Sequence, residues 1–341
     1  CKEKIVDYSP TSYNLQEPSH FPKMKIPAEN PLTNEGVKLG RHLFYEEKLS
    51  GDNTMSCASC HAPEIAFADD NAVSVGIDGL AGNRNSMALI NLGYQNFFFW
   101  DGRSITLEEQ ILEPVPNPIE MHESWTRAIM KLKNEAKYNT MFYEAFGEED
   151  YDSTHVAKAI AQFLRTMISA ESKYDVMYKV ENGLVLNDLE QEMYDEITPQ
   201  EWEGYQLFMS LNGADCLHCH AGPMAQFEGF RNNGLDANFD DLGHFLVSGQ
   251  ASDRGKFKVP TLRNIALTAP YMHDGRFNTL DEVIDHYSTG IQQSPTLDPM
   301  IEFAFQGGVQ LDEFEKASLK AFLHCLTDHR FIDNPAFSDP E

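Results

Sequence analysis

Cys57-Ala58-Ser59-Cys60-His61 and Cys216-Leu217-His218-Cys219-His220 are two copies of one pattern, C-x-x-C-H. Two thiols at this spacing suit a redox dithiol or half of a zinc site, but neither use needs a histidine directly after the second cysteine. Attachment of a c-type haem does, since the thiols add to its vinyl groups and the histidine fills one axial position of the iron. The repeated pattern therefore predicts two covalently bound haem c groups, one on Cys57, Cys60 and His61, the other on Cys216, Cys219 and His220. Four of the six cysteines are used in this way. Cys1 and Cys325 lie at opposite ends of the chain, and Cys325, in helical phase with Leu311, Phe314 and Phe322, reads as a buried, inert helix residue.

A chain of 341 residues is long enough for two domains of ordinary size, and the motifs divide it into halves that could each enclose a porphyrin. With 53 acidic against 26 basic side chains, the net charge of -27 disfavours nucleic acid and anionic lipid as partners and is compatible with a cationic protein. No apolar run is long enough to span a bilayer. The polar stretch after Cys1, with Lys2, Glu3, Ser9, Pro10 and Ser12, resembles the tether of a lipidated N-terminal cysteine. Because c-haem is attached outside the bacterial cytoplasmic membrane, the expected location is periplasmic, with or without a lipid anchor on Cys1.

Periodicity along the chain is helical, as in Val156, Ile160, Phe163, Leu164, Met167 and Ile168, while strand-like alternation is scarce. Thr106 with Glu109, Thr198 with Glu201 and Thr279 with Glu282 have capping-box spacing, and Pro199 suits a first helical position. The helix opened at Thr198 runs toward Cys216, and a helix followed by C-x-x-C-H is the layout of a cytochrome c domain. Gly and Pro cluster in 76–85, 113–121 and 222–255, where long loops are expected around the haems. The expected fold is mainly α, with two cytochrome c-like domains, each binding one covalent haem, and long loops. Residues 1–20 read as a tether, 21–185 as the first haem domain, 186–330 as the second and 331–341 as a tail. The boundary is placed in the acidic stretch from Glu181 to Glu196.

The run Phe98-Phe99-Trp100-Asp101-Gly102-Arg103, then Thr106-Leu107-Glu108-Glu109-Gln110 and Asn117-Pro118-Ile119-Glu120-Met121, resembles the bacterial di-haem cytochrome c peroxidase and MauG family. Pro260-Thr261-Leu262-Arg263-Asn264 and Ala269-Pro270-Tyr271-Met272-His273-Asp274-Gly275 agree, so the resemblance covers about residues 30 to 330. It implies two helical haem domains with a calcium ion between them. It assigns Trp100 to the space between the haems, and Gln110 and Glu120 to the peroxide-binding face of haem 1. A carboxyl there can take a proton from the inner peroxide oxygen and return it to the outer one, with an amide holding the departing hydroxyl. Asn85, Thr268 and Pro270 fall at the calcium positions, offering neutral oxygens suited to a hard cation. Without the resemblance, Gln110 would be an ordinary helix residue, Glu120 a loop charge and Trp100 core filler.

Two departures bear on subtype. Classical members carry a haem 1-blocking histidine sixteen residues after the first haem histidine, and here Ile77 stands there, so haem 1 is expected to be open in the resting ferric state; His42 and His122 are the substitutes to examine. On haem 2, classical members use a methionine fourteen residues after the histidine of His-Asp-Gly, where this chain has Tyr287, as MauG members have tyrosine. Tyr287 is the expected haem 2 ligand and Met272 the alternative, since thioethers suit low-spin c-haems. Where MauG members place an exit tryptophan, this chain has Ala214, with Trp202 and Tyr205 nearby in sequence. The expected function is reduction of hydrogen peroxide to water with electrons from a small redox protein, a cytochrome c or a cupredoxin. MauG-like oxidation of a protein side chain is the alternative, and a plain di-haem electron carrier, which needs no acid/base pair, a third. The resemblance admits a monomer or a homodimer.

Overall fold

The computed structural model describes residues 8–301 and 303–340; Cys1 and its lipid-tether reading lie outside them. The chain is mainly helical: α1 (Asn34–Phe44), α2 (Leu107–Ile111), α3 (Trp125–Lys133), α4 (Ala136–Phe146) and α5 (Ser153–Thr166) come first. Then follow α6 (Lys173–Glu181), α7 (Asp188–Asp195), α8 (Pro199–Met209), α9 (Leu217–His220), α10 (Phe245–Ser248), α11 (Leu280–Asp285), α12 (Glu313–His324) and α13 (His329–Ile332). The sheet among the described residues is one antiparallel pair, β1 (Phe230–Arg231) on β2 (Phe257–Lys258), with Phe230 opposite Lys258. Each of the three expected capping boxes forms. At Thr198, for example, the Glu201 amide donates to the threonine hydroxyl (3.2 Å) and the Thr198 amide to the Glu201 carboxylate (2.7 Å).

The helices pack around two apolar cores built on the same crossing. In the first, Gly40 of α1 lies against the Ala159 carbonyl and Phe163 of α5, where a Cβ would collide with backbone. In the second, Gly204 of α8 lies against the Ser318 carbonyl and Phe322 of α12 in the same way. A glycine in mid-helix is unfavourable by itself, so its place at both crossings reflects the close backbone approach it permits. Each crossing holds the helix that leads toward one C-x-x-C-H motif.

The change of core falls between Met167, in the first, and Tyr174 and Met177, in the second, ahead of the expected boundary at 185–186. The acidic stretch that suggested a linker is largely α7 itself, laid on α6 and tied to it by the Lys179–Glu190 ion pair, with its carboxylates in solvent. The crossover is fastened by Asp328, whose Oδ2 accepts from the Ser169 hydroxyl (3.0 Å) and the Ala170 and Glu171 amides (2.8 and 3.0 Å).

Both chain ends are packed where they are described. Thr11 donates its amide to Glu35 (2.8 Å), and buried His20 meets Asp175 (2.7 Å), so residues 8–20 run along the body of the protein. At the other end, Phe331 and Phe337 enter the first core, and Tyr45 donates to the Phe337 carbonyl (2.6 Å). Two aromatic rings thus turn an expected tail into part of the first core.

Asp175 is held from three sides. Arg263, itself fully buried, reaches both of its oxygens (2.5 and 2.9 Å), and His20 and Ser172 add hydrogen bonds. Burial alone would raise this carboxyl, but the Arg263 charge and the hydrogen bonds hold it well below the usual range. Replacing Arg263 with Met should lower stability by about 3–5 kcal/mol in a denaturant titration, because it leaves a buried carboxylate short of its counter-ion. The double variant Arg263→Met, Asp175→Leu should recover much of that loss.

Candidate active site

A continuous cavity of about 1130 Å³ runs between the two cores, and both C-x-x-C-H motifs face it. None of the four motif cysteines is in a disulfide. His61 Nδ1 is hydrogen-bonded to the Phe67 carbonyl (3.1 Å) and His220 Nδ1 to the Ala225 carbonyl (3.4 Å). In each case that carbonyl belongs to a non-glycine residue in the left-handed region, Phe67 at φ 59° and Ala225 at φ 46°. The strain is local, and it aims the oxygen that orients the ring. Burial lowers the pKa of both histidines, His220 to about 4, which keeps the imidazoles neutral. Paired cysteine sulfurs beside a neutral imidazole are the donor set of a c-type haem, and the cavity gives each motif an apolar lining.

Around the first motif, Gln110 and Glu120 both line the cavity, and the Glu120 carboxylate is near enough to Cys60 to help raise its thiol. Asn117 Nδ2 donates to Glu120 Oε1 (2.5 Å). Burial raises the Glu120 carboxyl, and the Asn117 hydrogen bond and the Arg103 charge oppose that rise. Ile77 does not line the cavity. Its amide donates to the Glu120 carbonyl (3.0 Å), and its side chain lies beside Gly51. Neither proposed substitute takes its place: His42 sits on α1 outside the cavity lining, and His122 is exposed and paired with Asp78 (2.5 Å).

Around the second motif, Met272 and Tyr287 converge on one amide. Asn233 Nδ2 lies 3.2 Å from the Tyr287 hydroxyl and 3.5 Å from the Met272 sulfur. Tyr287 is carried on a π-helical turn, His286–Gly290, that continues α11, and such turns redirect side chains at functional sites. Its phenol is raised by burial and, more weakly, by the two motif thiols Cys219 and Cys216, which places it in that pocket. Ala214 lines the cavity, whereas Trp202 and Tyr205 stack on each other (5.3 Å between centroids) behind it.

Trp100 joins the two sides. Its indole Nε1 donates to the backbone carbonyl of Asn85 (2.8 Å), and its own carbonyl accepts from the Lys258 amide (2.7 Å). Asn85, Thr268 and Pro270 line the same cavity. The Asn85 amide nitrogen is used by the Asn71 and Ala72 carbonyls (3.2 Å each), which leaves Oδ1 as the available side-chain acceptor. Neutral oxygens of this kind fit a hard cation, and among the described residues no cluster of three His, Cys, Asp or Glu side chains competes for one.

Sequence reasoning overlooked Lys258, Asn233 and Asn117 as functional groups. Lys258 is a buried cavity-lining lysine whose ammonium donates to the Gln95 side chain (2.6 Å), and burial lowers it to about 8. A cation in that setting fits a carboxylate of a bound group, as a haem propionate would supply. A lysine between Phe257 and Val259, just before Pro260-Thr261-Leu262-Arg263, was the available signal. Asn117 stood inside a quoted motif, while Asn233 carries no local mark.

A family model described as di-haem cytochrome c peroxidase matches residues 34–183. The methylamine utilization protein MauG of Methylorubrum extorquens is 33% identical over 303 residues, 88% of this chain and 80% of that protein. The cytochrome c peroxidase Ccp of Escherichia coli is 31% identical over 328 residues, 94% of this chain and 64% of its own length. The crystal structure of a MauG-like protein associated with microbial copper homeostasis superposes with a TM-score of 0.85 at 34% identity, covering 96% of this chain and 99% of that one. The chain belongs to the di-haem cytochrome c peroxidase family, whose members include both cytochrome c peroxidases and MauG proteins.

Proposed function

We propose that this chain reduces hydrogen peroxide to water, with peroxide taken at the first haem motif and electrons supplied by a small redox protein, a cytochrome c or a cupredoxin. The observation that carries the reading is the Glu120 carboxyl held by Asn117 in the pocket of Cys57, Cys60 and His61, with neither His42 nor His122 in the cavity lining to stand in for Ile77. The haem groups, when bound, supply the iron that takes the substrate and the redox capacity for two electrons. Glu120 takes the proton of one peroxide oxygen and returns it to the other, and the Gln110 amide donates to the departing hydroxyl. Trp100, in the cavity shared by the two motifs, relays electrons from the second to the first. Tyr287 would ligate the second iron, with Asn233 Nδ2 within hydrogen-bond distance of its oxygen. Asn85, Thr268 and Pro270 would hold a calcium ion through neutral oxygens, with the Asn85 backbone carbonyl accepting from the Trp100 indole. Covalent haem attachment places this work in the periplasm.

MauG-like oxidation of a protein side chain is the second reading, supported by Tyr287 and by the MauG relatives, and weakened by Ala214 at the usual exit position. Turnover with a reduced cytochrome c or cupredoxin separates the two, since a protein oxidase shows little.

Rapid mixing of the fully oxidised, calcium-loaded protein with one equivalent of peroxide should shift the Soret band at once; reaction of only the half-reduced protein would mean that another ligand blocks the first haem. Glu120→Gln should slow that shift by about 10²–10⁴-fold. The base must be a carboxylate, so the rate rises as pH climbs through the raised Glu120 pKa. Asn117→Ala removes a bond to the ionised form and should carry this rise to higher pH. Tyr287→Phe should alter the low-spin ferric spectrum while Met272→Leu leaves it unchanged; the reverse result reassigns the ligand.

A further inference from the structure

The segment after α2 separates two spaces. Gln110 and Pro114 face the haem cavity, Leu112, Glu113 and Pro116 face a surface groove of about 810 Å³, and Asn117 borders both. Arg103 is the other residue common to the two linings. The partition is thus one chain thick, and the Asn117 side chain crosses it to hold Glu120 Oε1 at 2.5 Å. Arg103 is an exposed residue, stacked on Phe99 (3.4 Å from guanidinium carbon to ring centroid) and paired with Asp101 (3.2 Å) and Glu113 (3.1 Å).

From this we infer that the 103–117 groove is the entry path for peroxide, with Arg103 and Asn117 forming the gate between solvent and Glu120. This rests on the placement of peroxide chemistry at the first motif. Several features make the groove suited to a small neutral molecule that both donates and accepts hydrogen bonds. Its walls offer guanidinium, carboxamide and carboxylate groups, and the strongly negative net charge does not repel an uncharged ligand. The path ends at the carboxyl that handles the proton, so the molecule arrives beside its base. The Arg103 ion pairs at the surface are weak enough to part and re-form.

An access path differs from a binding determinant in its kinetics: obstructing it slows entry and exit together and leaves affinity alone. Glu113 and Pro116 are exposed on the groove wall, so Glu113→Trp and Pro116→Trp should each narrow it from a different position. The probe is cyanide, followed by its Soret shift on the holoenzyme in the fully oxidised and half-reduced states, so that an open first haem is sampled whichever state provides it. The expected result is that association and dissociation rates both fall by about tenfold or more with an unchanged equilibrium constant. Peroxide reaction should slow in parallel. Unchanged association in both variants overturns the inference, and so does weaker binding with unchanged association. Glu120→Gln separates this from the functional reading. Slow peroxide reaction with normal cyanide entry supports Glu120 as the acid/base, and normal peroxide reaction rejects that role whatever the groove variants show.

Discussion

The constraint on which this fold depends is that two small helical cores must hold between them one apolar space shaped for bound groups. Interiors pack at close to crystal density, so a space of this size has to be filled by bound groups, and its walls must be held in register with them. The two glycine crossings set those walls. At Gly40 and at Gly204 two helices approach as closely as their backbones allow, which fixes the direction in which each haem motif emerges. The strained carbonyls of Phe67 and Ala225 then turn each histidine ring into the space.

Buried polar links fasten the chain where it passes from the first core to the second. Asp328 gathers the strand of chain that passes between them, Asn264 accepts from the Asp328 amide (2.7 Å), and Arg263 beside it carries the charge that Asp175 needs. Such links stabilise only when every partner is present, which makes the junction specific and intolerant of single changes. Trp100 has its indole and its carbonyl both engaged, so it cannot reorient independently of the loops that carry Asn85 and Lys258.

Much of this was legible in the sequence because the informative signals are local. C-x-x-C-H declares itself in five residues, a capping box in four, and three residues of the motif from Phe98 to Met121, Trp100, Gln110 and Glu120, line the one cavity that both C-x-x-C-H motifs face. What escaped depends on contacts distant in sequence. Asn233 meets Tyr287 across 54 positions, and nothing near Asn233 marks it. Lys258 differs from any strand lysine only through its burial. The boundary was misjudged for a related reason: the acidic α7 shows its carboxylates to solvent, and a helix that packs by one narrow face on a neighbour reads as linker.

Phe331 and Phe337 belong to the core that carries the first haem motif, although more than two hundred residues separate them from Cys57. That core is therefore closed by residues far along the chain from the motif it supports. The second core draws on residues from Tyr174 to Leu326. The C-terminal segment therefore bears on the first haem motif and not on the second: loss of Phe331 and Phe337 would open the core against which Cys57 packs and leave every member of the second core in place.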